Sequence, residues 1–409
     1  MDERKITVLI YLPEETVAVP AGIFTHNNES GIGTFAYGRR YVNRKNALPV
    51  DPVALPLGVP ASEVVDNSGL YGAFRDAAPD YWGRLVIAAQ SRVPPEAISE
   101  VDFLIAPNAA RVGNLDFRLS PKDPEPILSP PHFNRIAEIL EAAEKIETGQ
   151  EIENHLLQLL RQGSSIGGAR PKCTVEWEDS LWIAKFPAKG DTLNIPRIEY
   201  ATMKLASEFG IRIPEVRIIS VKEKDVFLIR RFDREKGISG WLRKGFLSAL
   251  SLVQWDERDR LRWDYSAIAD TMRRYMTRAD VQELFLRMVF NILVRNTDDH
   301  PRNHGFILDG EKMLLSPAYD IVPMPSGYGV STDFRLAMSV GEHGREATID
   351  NAFSRSGRFG FSIASANSIV QQRLKIIQNW RGHYEQCGVK GREIDLLSPC
   401  FARSVVRKD

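Results

Sequence analysis

The chain has 409 residues, 43% of them hydrophobic, and its 53 lysines and arginines are balanced by 53 aspartates and glutamates. This balance excludes a global electrostatic field that would attract DNA or an anionic membrane. The length predicts two or three packed units with enough apolar sequence for a buried core.

The three cysteines, Cys173, Cys387 and Cys400, are scattered without the spacing of metal ligands. They cannot all pair, which favours a reducing compartment. The first residues lack the apolar segment of a signal peptide, and no run of about 18 apolar residues occurs in the sequence. We therefore expect a cytoplasmic protein with no membrane association.

The first third of the chain predicts a small β-rich unit. Its β-type runs are separated by Pro, Asn and Gly clusters and lie at 5–12, 17–25 and 33–42. Four prolines between residues 49 and 60 then favour an extended segment. The pattern is helical around 70–95, and the segment 108–119 ends in another strand. Five prolines within 121–131 predict a linker, so we expect a domain boundary there.

A glycine-rich loop at 163–172 follows two amphipathic helices, which are predicted at 133–143 and 151–161. Its small residues would let backbone N–H groups approach phosphate oxygens closely. The Walker pattern is absent, because Lys172 begins a strand rather than a helix. The same letters also fit a flexible Gly-Ser hairpin or linker. The loop leads into β-type runs at 173–177 and 181–186.

Lys185 interrupts the second of these apolar runs, and a buried ammonium is costly unless it is paired. Two anionic partners are open to it. One is a pair of nucleotide phosphates, and the other is Glu199 at the start of a helix predicted over 198–209. The alternative is an edge-strand lysine whose amine reaches water.

The next segment predicts two paired strands at 216–220 and 226–229. Their polar exit at 230–234 fits the hinge between two kinase lobes, whose backbone would meet the adenine. Beyond residue 240 the pattern is mainly helical apart from one hairpin, and the last helix is predicted over 369–380.

The polar run 296–305 lies between an apolar helix pattern at 281–295 and that hairpin. The strands of the hairpin are expected at 305–308 and 313–315, with Asp309-Gly310 as the two-residue turn. The polar run is therefore predicted to be a loop held between a core helix and a hairpin.

Asp298 and Asn303 stand five residues apart in this loop, so they can face one small volume. The carboxylate would accept the proton of an attacking hydroxyl, and the amide oxygen would hold Mg²⁺ on a nucleotide phosphate. Asp320, just past the return strand, would supply the main metal ligand. Alternatively, Asp298 or Asp299 caps a turn and Asn303 occupies a left-handed position.

The glycine loop, strand lysine, helix glutamate, hinge, catalytic Asp, metal Asn and metal Asp follow one another in the order of a protein kinase, over about 155 residues. The usual H-R-D and D-F-G letters are missing, so the signal lies in the order rather than in any single motif. The order predicts an ATP-dependent phosphotransferase core.

The same residues resemble the HipA family of serine/threonine kinases, the toxin halves of bacterial HipBA-type toxin-antitoxin modules. In the kinase part the specific motifs lie at 165–172, 183–187, 231–234, 296–303 and 319–321. Looser matches in the N-terminal third lie at 55–57, 102–104 and 112–113. The resemblance covers nearly the whole chain.

The resemblance implies an α+β, two-lobed protein-kinase-like fold with an additional N-terminal β-rich subdomain. The subdomain would cover 1–128, the lobe with the glycine loop and strand lysine 129–235, and the mainly helical lobe with the catalytic loop 236–409.

Residue roles follow from the resemblance as well. It implies Asp298 as the catalytic base, Asn303 and Asp320 as Mg²⁺ ligands, and Lys185 as the lysine on the ATP phosphates. The further residues that would contact ATP are Gly167, Gly168, Ala169, Arg170, Lys172, Glu199, Arg230, Arg231, Phe232, His300 and Tyr319. The polar surroundings of His300 and His304 also fit hydrogen bonds within a turn.

Ser165 aligns with the serine that such kinases autophosphorylate, which in the family expels the glycine loop and silences the enzyme. Ser164 is a second hydroxyl beside it, so the modified residue is one of these two. A phosphate there would repel the phosphates of the nucleotide, so we expect autophosphorylation to act as an off-switch.

Three functions stay open. The first is a protein kinase whose target, by resemblance alone, is a translation factor such as an aminoacyl-tRNA synthetase. The second is a kinase for a small molecule or a lipid head group, and the third is a non-catalytic module that binds an antitoxin. The sequence has no recognisable DNA-reading helix, so DNA would be bound only through a small HipB-like DNA-binding antitoxin, as the resemblance implies.

Overall fold

The computed structural model describes residues 3–106, 109–126, 129–163, 168–325 and 334–401. Helices and antiparallel sheets are both present, and the helices concentrate in the second half of the chain. The predicted α+β fold class is therefore confirmed.

The N-terminal part is built on a five-stranded antiparallel sheet. Its strands are β1 (Glu3–Ile10), β2 (Val19–Asn27), β3 (Ile32–Tyr37), β4 (Ser62–Val64) and β5 (Leu115–Arg118). They pair in the order β4-β3-β2-β1-β5, and buried side chains such as Val8, Phe24 and Phe35 form its core face. The third strand is shorter than the predicted run 33–42, because the chain turns into a helix after Gly38.

Short helices connect and cover this sheet. They are α1 (Arg39–Val42), α2 (Asp66–Gly69), α3 (Gly72–Ala77), α4 (Tyr81–Ser91) and α5 (Glu100–Ile105). The helical pattern predicted around 70–95 corresponds to α3 and α4. These two helices lie next to the candidate site, because α3 contacts elements of the C-terminal half and α4 contacts helix α7, Asn154–Gly163.

A four-stranded antiparallel sheet follows. Its strands are β6 (Lys172–Trp177), β7 (Ser180–Lys185), β8 (Val216–Val221) and β9 (Lys224–Arg230), in the order β6-β7-β9-β8. One face packs against α6 (Ile136–Thr148) and α7, and the other packs against α8 (Ile195–Glu208). Successive side chains of β9 point to opposite faces of the sheet. Leu228 packs on the face covered by α6 and α7, and Phe227 packs on the face covered by α8.

Two further sheets lie in the C-terminal half. The first pairs β10 (Arg234–Lys236) with β11 (Trp241–Arg243), and the second joins β12 (Gly245–Ser248), β13 (Gly305–Asp309) and β14 (Lys312–Leu315). The prediction of mainly helical sequence beyond residue 240 missed β11 and β12. Strand β12 pairs with β13 across a large sequence distance, so its local pattern does not reveal it. The predicted turn was also wrong, because Asp309 pairs with Lys312 and leaves Gly310-Glu311 as the two-residue loop.

The remaining helices form the C-terminal half. They are α9 (Ala249–Leu252), α10 (Tyr265–Met272), α11 (Arg278–Val294), α12 (Ile349–Ser354), α13 (Ile363–Gln378), α14 (Trp380–Gln386) and α15 (Gly391–Phe401). Helix α11 is buried along most of its length. Thr277 is its N-cap residue, and the hydroxyl of Thr277 accepts a hydrogen bond from the N–H of Asp280. In the described parts of the chain, every helix is too short or too polar to span a bilayer.

The prediction that the last helix covers 369–380 was wrong, because α14 and α15 follow it. Both helices are short, and α15 contains Pro399, which weakens a helical pattern in the sequence. Several of their apolar residues are nevertheless buried, including Tyr384 and Leu397.

The main apolar core extends from the N-terminal sheet to the last helix. It contains Val8 of β1, Phe74 of α3, Phe285 of α11 and Phe401 of α15. The parts therefore share a core, and the division at 128 and 235 stays a prediction.

Candidate active site

Lys185 is the centre of a buried ion-pair cluster. It is the last residue of β7, and its Nζ lies 2.5 Å from Oε1 of Glu199 on α8 and 2.7 Å from Oδ1 of Asp320. The side chain of Lys185 is 8% exposed and that of Glu199 is 2% exposed. A buried ammonium thus meets two carboxylates from different elements, and the predicted pairing of Lys185 with Glu199 is present.

The charges of this cluster support one another. Burial lowers the pKa of Lys185, but Asp320 and Glu199 outweigh burial and raise it overall. Burial likewise opposes the Asp320 carboxylate, yet Lys185 and then Lys172 bring its pKa below the ordinary range. Burial raises the pKa of Glu199, with Lys185 acting against it. At neutral pH the amine of Lys185 is protonated and Asp320 is ionised.

Asp320 adopts a backbone conformation that is uncommon for a residue other than glycine, with φ at 61°. The two preceding residues are anchored. The N–H of Ala318 donates to the carbonyl of Arg212 at 2.7 Å, and the hydroxyl of Tyr319 donates to the carbonyl of Arg302 at 2.8 Å. These contacts hold the strained residue so that its carboxylate faces the strand lysine.

Asp298 and Asn303 share one turn of the loop that follows α11. The carbonyl of Asp298 accepts a hydrogen bond from Nδ2 of Asn303 at 3.0 Å and one from the N–H of His300 at 2.9 Å. The Asp298 side chain is exposed. Loss of part of its hydration, and then the charge of Asp320, raise its pKa, whereas His300 acts in the opposite direction. A raised pKa makes this carboxylate a better proton acceptor.

Asp299 has a structural role that the sequence did not assign. Its side chain is 1% exposed, and its Oδ1 lies 2.8 Å from Nε2 of the buried His304. The ring of His304 packs edge-on against Tyr265 of α10. This pair anchors the loop from inside, which leaves the neighbouring Asp298 pointing outwards. The adjacent acids at 298 and 299 were the available signal, since two neighbouring carboxylates seldom serve the same surface.

The described end of the glycine loop begins at Gly168, since Ser164, Ser165 and Gly167 lie outside the described residues. Gly168 has φ at 114°, a backbone conformation that strains any residue with a side chain, and a Cβ on it would also displace Nζ of Lys172, which would lie 2.0 Å away. Its N–H donates to Oδ2 of Asp80 at 2.7 Å. The N–H of Gly168 therefore has a partner within the protein, and the contact of this residue with a phosphate stays a prediction.

Lys172 joins Lys185 on one face of the sheet. The two residues are direct cross-strand partners in the β6–β7 pair, so their side chains project from the same side. Lys172 is 4% exposed. Burial, followed by the charge of Lys185, lowers the pKa of Lys172 to about 8. Beside it, Ala169 is exposed and Arg170 forms an ion pair with Asp191.

The predicted hinge residues differ in where they point. The N–H of Arg231 donates to the carbonyl of Leu181, which joins the strand exit to β7. The Arg230 side chain is exposed and lies 3.7 Å from a carboxylate oxygen of Glu215. The ring of Phe232 lies 5.9 Å from that of Tyr319 and so borders the cluster around Asp320.

The side chain of Arg231 does not join the site. It is 4% exposed, and its Nε donates to Asp233 at 2.9 Å while Nη1 donates to the carbonyl of Ala110 at 2.6 Å. A buried guanidinium needs a carboxylate, and Asp233 supplies one two residues away. The Arg231 side chain is therefore held within the protein, and the contact of residues 230–232 with the adenine stays a prediction.

The two predicted metal ligands fit Mg²⁺ in their chemistry. Asn303 uses its amide nitrogen on the carbonyl of Asp298, so its amide oxygen is left to accept from elsewhere. One carboxylate oxygen of Asp320 pairs with Lys185, and the second oxygen could bind a metal ion. Mg²⁺ is commonly held by one or two protein oxygens together with water and phosphate. In the described ranges, no three His, Cys, Asp or Glu side chains cluster as a complete metal site.

The comparisons with known proteins agree with this architecture. The family model described as HipA-like C-terminal domain matches residues 164–380. A Sinorhizobium fredii protein named "Putative kinase Y4mE" is 24% identical over 354 residues, which cover 80% of each chain. A Haemophilus influenzae protein named "Putative kinase" is 28% identical over 255 residues, covering 53% of this chain and 73% of the relative.

A solved structure shares the whole fold. HipA of the Shewanella oneidensis toxin-antitoxin system, from a complex of HipA, HipB and operator DNA, aligns with a TM-score of 0.68. The alignment has 16% identity and covers 97% of this chain and 96% of that chain. The likeness at this identity concerns the fold.

The fold and the ion-pair cluster around Lys185 define a kinase-like α+β protein that carries an additional β-rich N-terminal part. The family match extends over more than half of the 409 residues. The chain belongs to the family of proteins with a HipA-like C-terminal domain.

Proposed function

We propose that the protein is an ATP- and Mg²⁺-dependent serine/threonine protein kinase. The observation that carries the proposal is the bridge from Lys185 to both Glu199 and Asp320, because it brings a phosphate-binding ammonium and a metal-binding carboxylate together. The two relatives named "Putative kinase" and "Putative kinase Y4mE" support the same activity.

The roles of the residues follow from their positions. Lys185 and Lys172 would bind the triphosphate, and Asn303 and Asp320 would hold Mg²⁺, which neutralises charge on the phosphates. The substrate hydroxyl oxygen would form a bond to the γ-phosphorus as the bond from that phosphorus to the β–γ bridging oxygen breaks. ADP then leaves, and the hydroxyl proton passes to the carboxylate of Asp298.

A protein substrate fits the exposure of the proposed base. The side chain of Asp298 is exposed, as a group that must meet a hydroxyl on the surface of another protein would be. A small-molecule kinase would enclose this group in a pocket. An aminoacyl-tRNA synthetase as the target is a proposal that comes from the family resemblance alone.

A HipB-like antitoxin is the proposed partner. The structural relative comes from a complex with HipB and operator DNA. By the same likeness, DNA would be contacted through the antitoxin. A non-catalytic antitoxin-binding module is the less favoured function, because it would not need Lys185, Asp298, Asn303 and Asp320 together.

Autophosphorylation at Ser165 or Ser164 also stays a proposal. A phosphate on this part of the glycine loop would repel the nucleotide and inactivate the enzyme. If so, Ser165→Asp would weaken ATP binding relative to the parent chain.

The experiment that tests the proposed function combines purified protein, labelled ATP and a cell lysate, followed by identification of the phosphorylated residues. We expect the wild type to label serine or threonine, and Asp298→Asn to lose about 10²–10⁴-fold of the transfer rate. The substitution keeps the size of the side chain and removes the proton acceptor, so circular dichroism should show an unchanged fold.

Asp309→Asn is the matched control, because Asp309 is an exposed aspartate at the end of β13 that pairs with Lys244 away from the cluster. It should transfer phosphate like the wild type. Full activity in Asp298→Asn would remove Asp298 from its role, and the absence of ATP turnover in the wild type would return the binding module as the better function.

A further inference from the structure

The carboxylate of Asp80 connects two parts of the proposed site that are far apart in sequence. Its Oδ2 accepts a hydrogen bond from the N–H of Gly168 at 2.7 Å. Its Oδ1 lies 3.0 Å from Nη1 of Arg302, the residue before Asn303. One N-terminal side chain thus contacts both the end of the glycine loop and the catalytic loop.

Asp80 occupies the N-cap position of α4, where an aspartate ordinarily accepts hydrogen bonds from its own helix. Here the side chain makes no such bond. Both oxygens are directed to partners outside the helix instead. The helix therefore forgoes its usual cap, and the carboxylate is free to connect the two loops.

Trp82, two residues along the chain, adds a second connection to the same segment. Its backbone N–H donates to the carbonyl of Gly168 at 3.2 Å, and its indole Nε1 donates to the carbonyl of Lys172 at 2.8 Å. The indole is 1% exposed and packs in the core beneath the β6–β7 sheet. The start of α4 therefore holds the chain on both sides of the turn from Gly168 to Lys172.

The charges around Asp80 favour its ionised form. Burial opposes ionisation, but Arg302, the N–H of Gly168 and the charge of Lys172 outweigh burial and lower the pKa of Asp80. Arg302 is 17% exposed and also lies 3.4 Å from Glu257. Its carbonyl accepts the hydroxyl of Tyr319, so the connection continues to the residue before the proposed metal ligand.

We infer that Asp80 is a positioning residue for the nucleotide, which sets the glycine loop relative to the catalytic loop by holding Gly168 and Arg302 at once. The inference rests on the proposed kinase function and adds that the nucleotide site is incomplete without the N-terminal part. Asp80 lies outside the region 164–380 that the family model matches.

The physical reason lies in preorganisation. A glycine-rich segment is conformationally free, so it binds phosphate well only when other contacts hold it in place. Loss of the Asp80 carboxylate would release the N–H of Gly168 and leave Arg302 with a weaker partner. Nucleotide binding would then have to order the loop, and its affinity would fall.

The test measures the affinity of the full chain for the non-hydrolysable analogue AMP-PNP with Mg²⁺ by isothermal titration calorimetry. The variants are Asp80→Ala, which removes both contacts, and Asp80→Asn, which keeps one oxygen for Gly168 but loses the charge that faces Arg302. We expect Asp80→Ala to bind about tenfold more weakly than the wild type and Asp80→Asn to lie between them.

Asp102→Asn is the matched control. Asp102 is another N-terminal carboxylate paired with an arginine, at 2.9 Å from Arg4, and its described side-chain hydrogen bonds are with Arg4 and Ser99. Both Asp102→Asn and the Asp80 variants should lower the melting temperature slightly, but only the Asp80 variants should lower AMP-PNP affinity. Hydrogen exchange in the nucleotide-free chain should be faster at Gly168 only in the Asp80 variants.

The outcomes separate the two proposals. If the wild type binds AMP-PNP and both Asp80 variants bind it equally well, the positioning role is wrong while the kinase function stands. If the wild type does not bind AMP-PNP, the kinase function fails and the inference fails with it. Should Asp80→Ala not fold, the comparison of Asp80→Asn with Asp102→Asn decides the question.

Discussion

Two lysine side chains share one face of the four-stranded sheet. Lys185 has Glu199 and Asp320 as direct partners, and Lys172 lies beside the ammonium of Lys185 in a buried position. Burial and then this neighbouring charge lower the pKa of Lys172 to about 8. A triphosphate bound on this face would raise the pKa of Lys172, because its negative charge favours protonated lysine.

Nucleotide binding should therefore be linked to protonation of Lys172. Below a pH of about 8 the amine is already charged in the free protein, so binding takes up little proton there. Above that pH the free amine is neutral, and binding raises its pKa and takes up a proton, so affinity falls as the pH rises. Calorimetry of AMP-PNP binding in buffers of different ionisation enthalpy, below and above that pH, measures the uptake.

Lys172→Met is the control for this linkage, because it removes the titrating amine and keeps an apolar chain of similar length. The proton uptake above the pKa should disappear in this variant. Equal uptake in the variant and the wild type would show that another group titrates.

At this scale the sequence could predict the residues whose chemistry demands a partner. Lys185 on an apolar strand required a carboxylate, and the polar loop around Asp298 stood out between apolar elements. The buried contacts of Arg231 and Asp80 could not be predicted, because an arginine after a strand and an aspartate before a helix are ordinary features. Their roles depend on contacts with Ala110 and Gly168, which are more than 80 residues away.

Helix α8, which carries Glu199, is braced by the C-terminal helix α14. The hydroxyls of Thr202 and Tyr384 lie 2.6 Å apart in a buried position, and Nε2 of His383 lies 2.9 Å from the carbonyl of Ala201. Helix α8 is thus fixed by α14 through two buried contacts close to Glu199 along the chain. Its glutamate is thereby held against the strand lysine.

Tyr384→Phe tests this brace. It removes one buried hydroxyl and leaves Thr202 with its second partner, the carbonyl of Ile198, so we expect the free energy of unfolding to fall by about 1 kcal/mol. Denaturant unfolding measures the change. Tyr275→Phe is the control, because that side chain is 41% exposed. Equal stability of Tyr384→Phe and Tyr275→Phe would contradict the brace.

Elements with a strong local period were predicted well and those that depend on distant pairing were not. The apolar spacing over 281–295 predicted α11, and the apolar run at 181–186 that Lys185 interrupts predicted β7. Strand β12 was missed because its partner β13 is distant along the chain, and α14 and α15 were missed because each is short. Tertiary packing stabilises such elements more than their own propensity does.

At the scale of the whole molecule, the proposed site depends on several parts of one continuous core. The sheet supplies Lys185, α8 supplies Glu199, and the loops around β13 and β14 supply Asp298 and Asp320. The order of the motifs along the sequence predicted the pairing of Lys185 with Glu199, and the meeting of these residues with Asp298 at one nucleotide stays a prediction. The contribution of the N-terminal part through Asp80 was not predicted, since proline-rich spacing suggested a separate unit.

The most direct test of the central claim is the Mg²⁺ dependence of AMP-PNP affinity in the wild type and in Asp320→Asn, with Asp309→Asn as the control. If Lys185, Asp298, Asn303 and Asp320 face one magnesium-bound nucleotide, the wild type and the control bind AMP-PNP tightly only with Mg²⁺. Asp320→Asn then binds at least about tenfold more weakly and gains little from the metal. Binding that is independent of Mg²⁺, or equal in all three proteins, would contradict the claim.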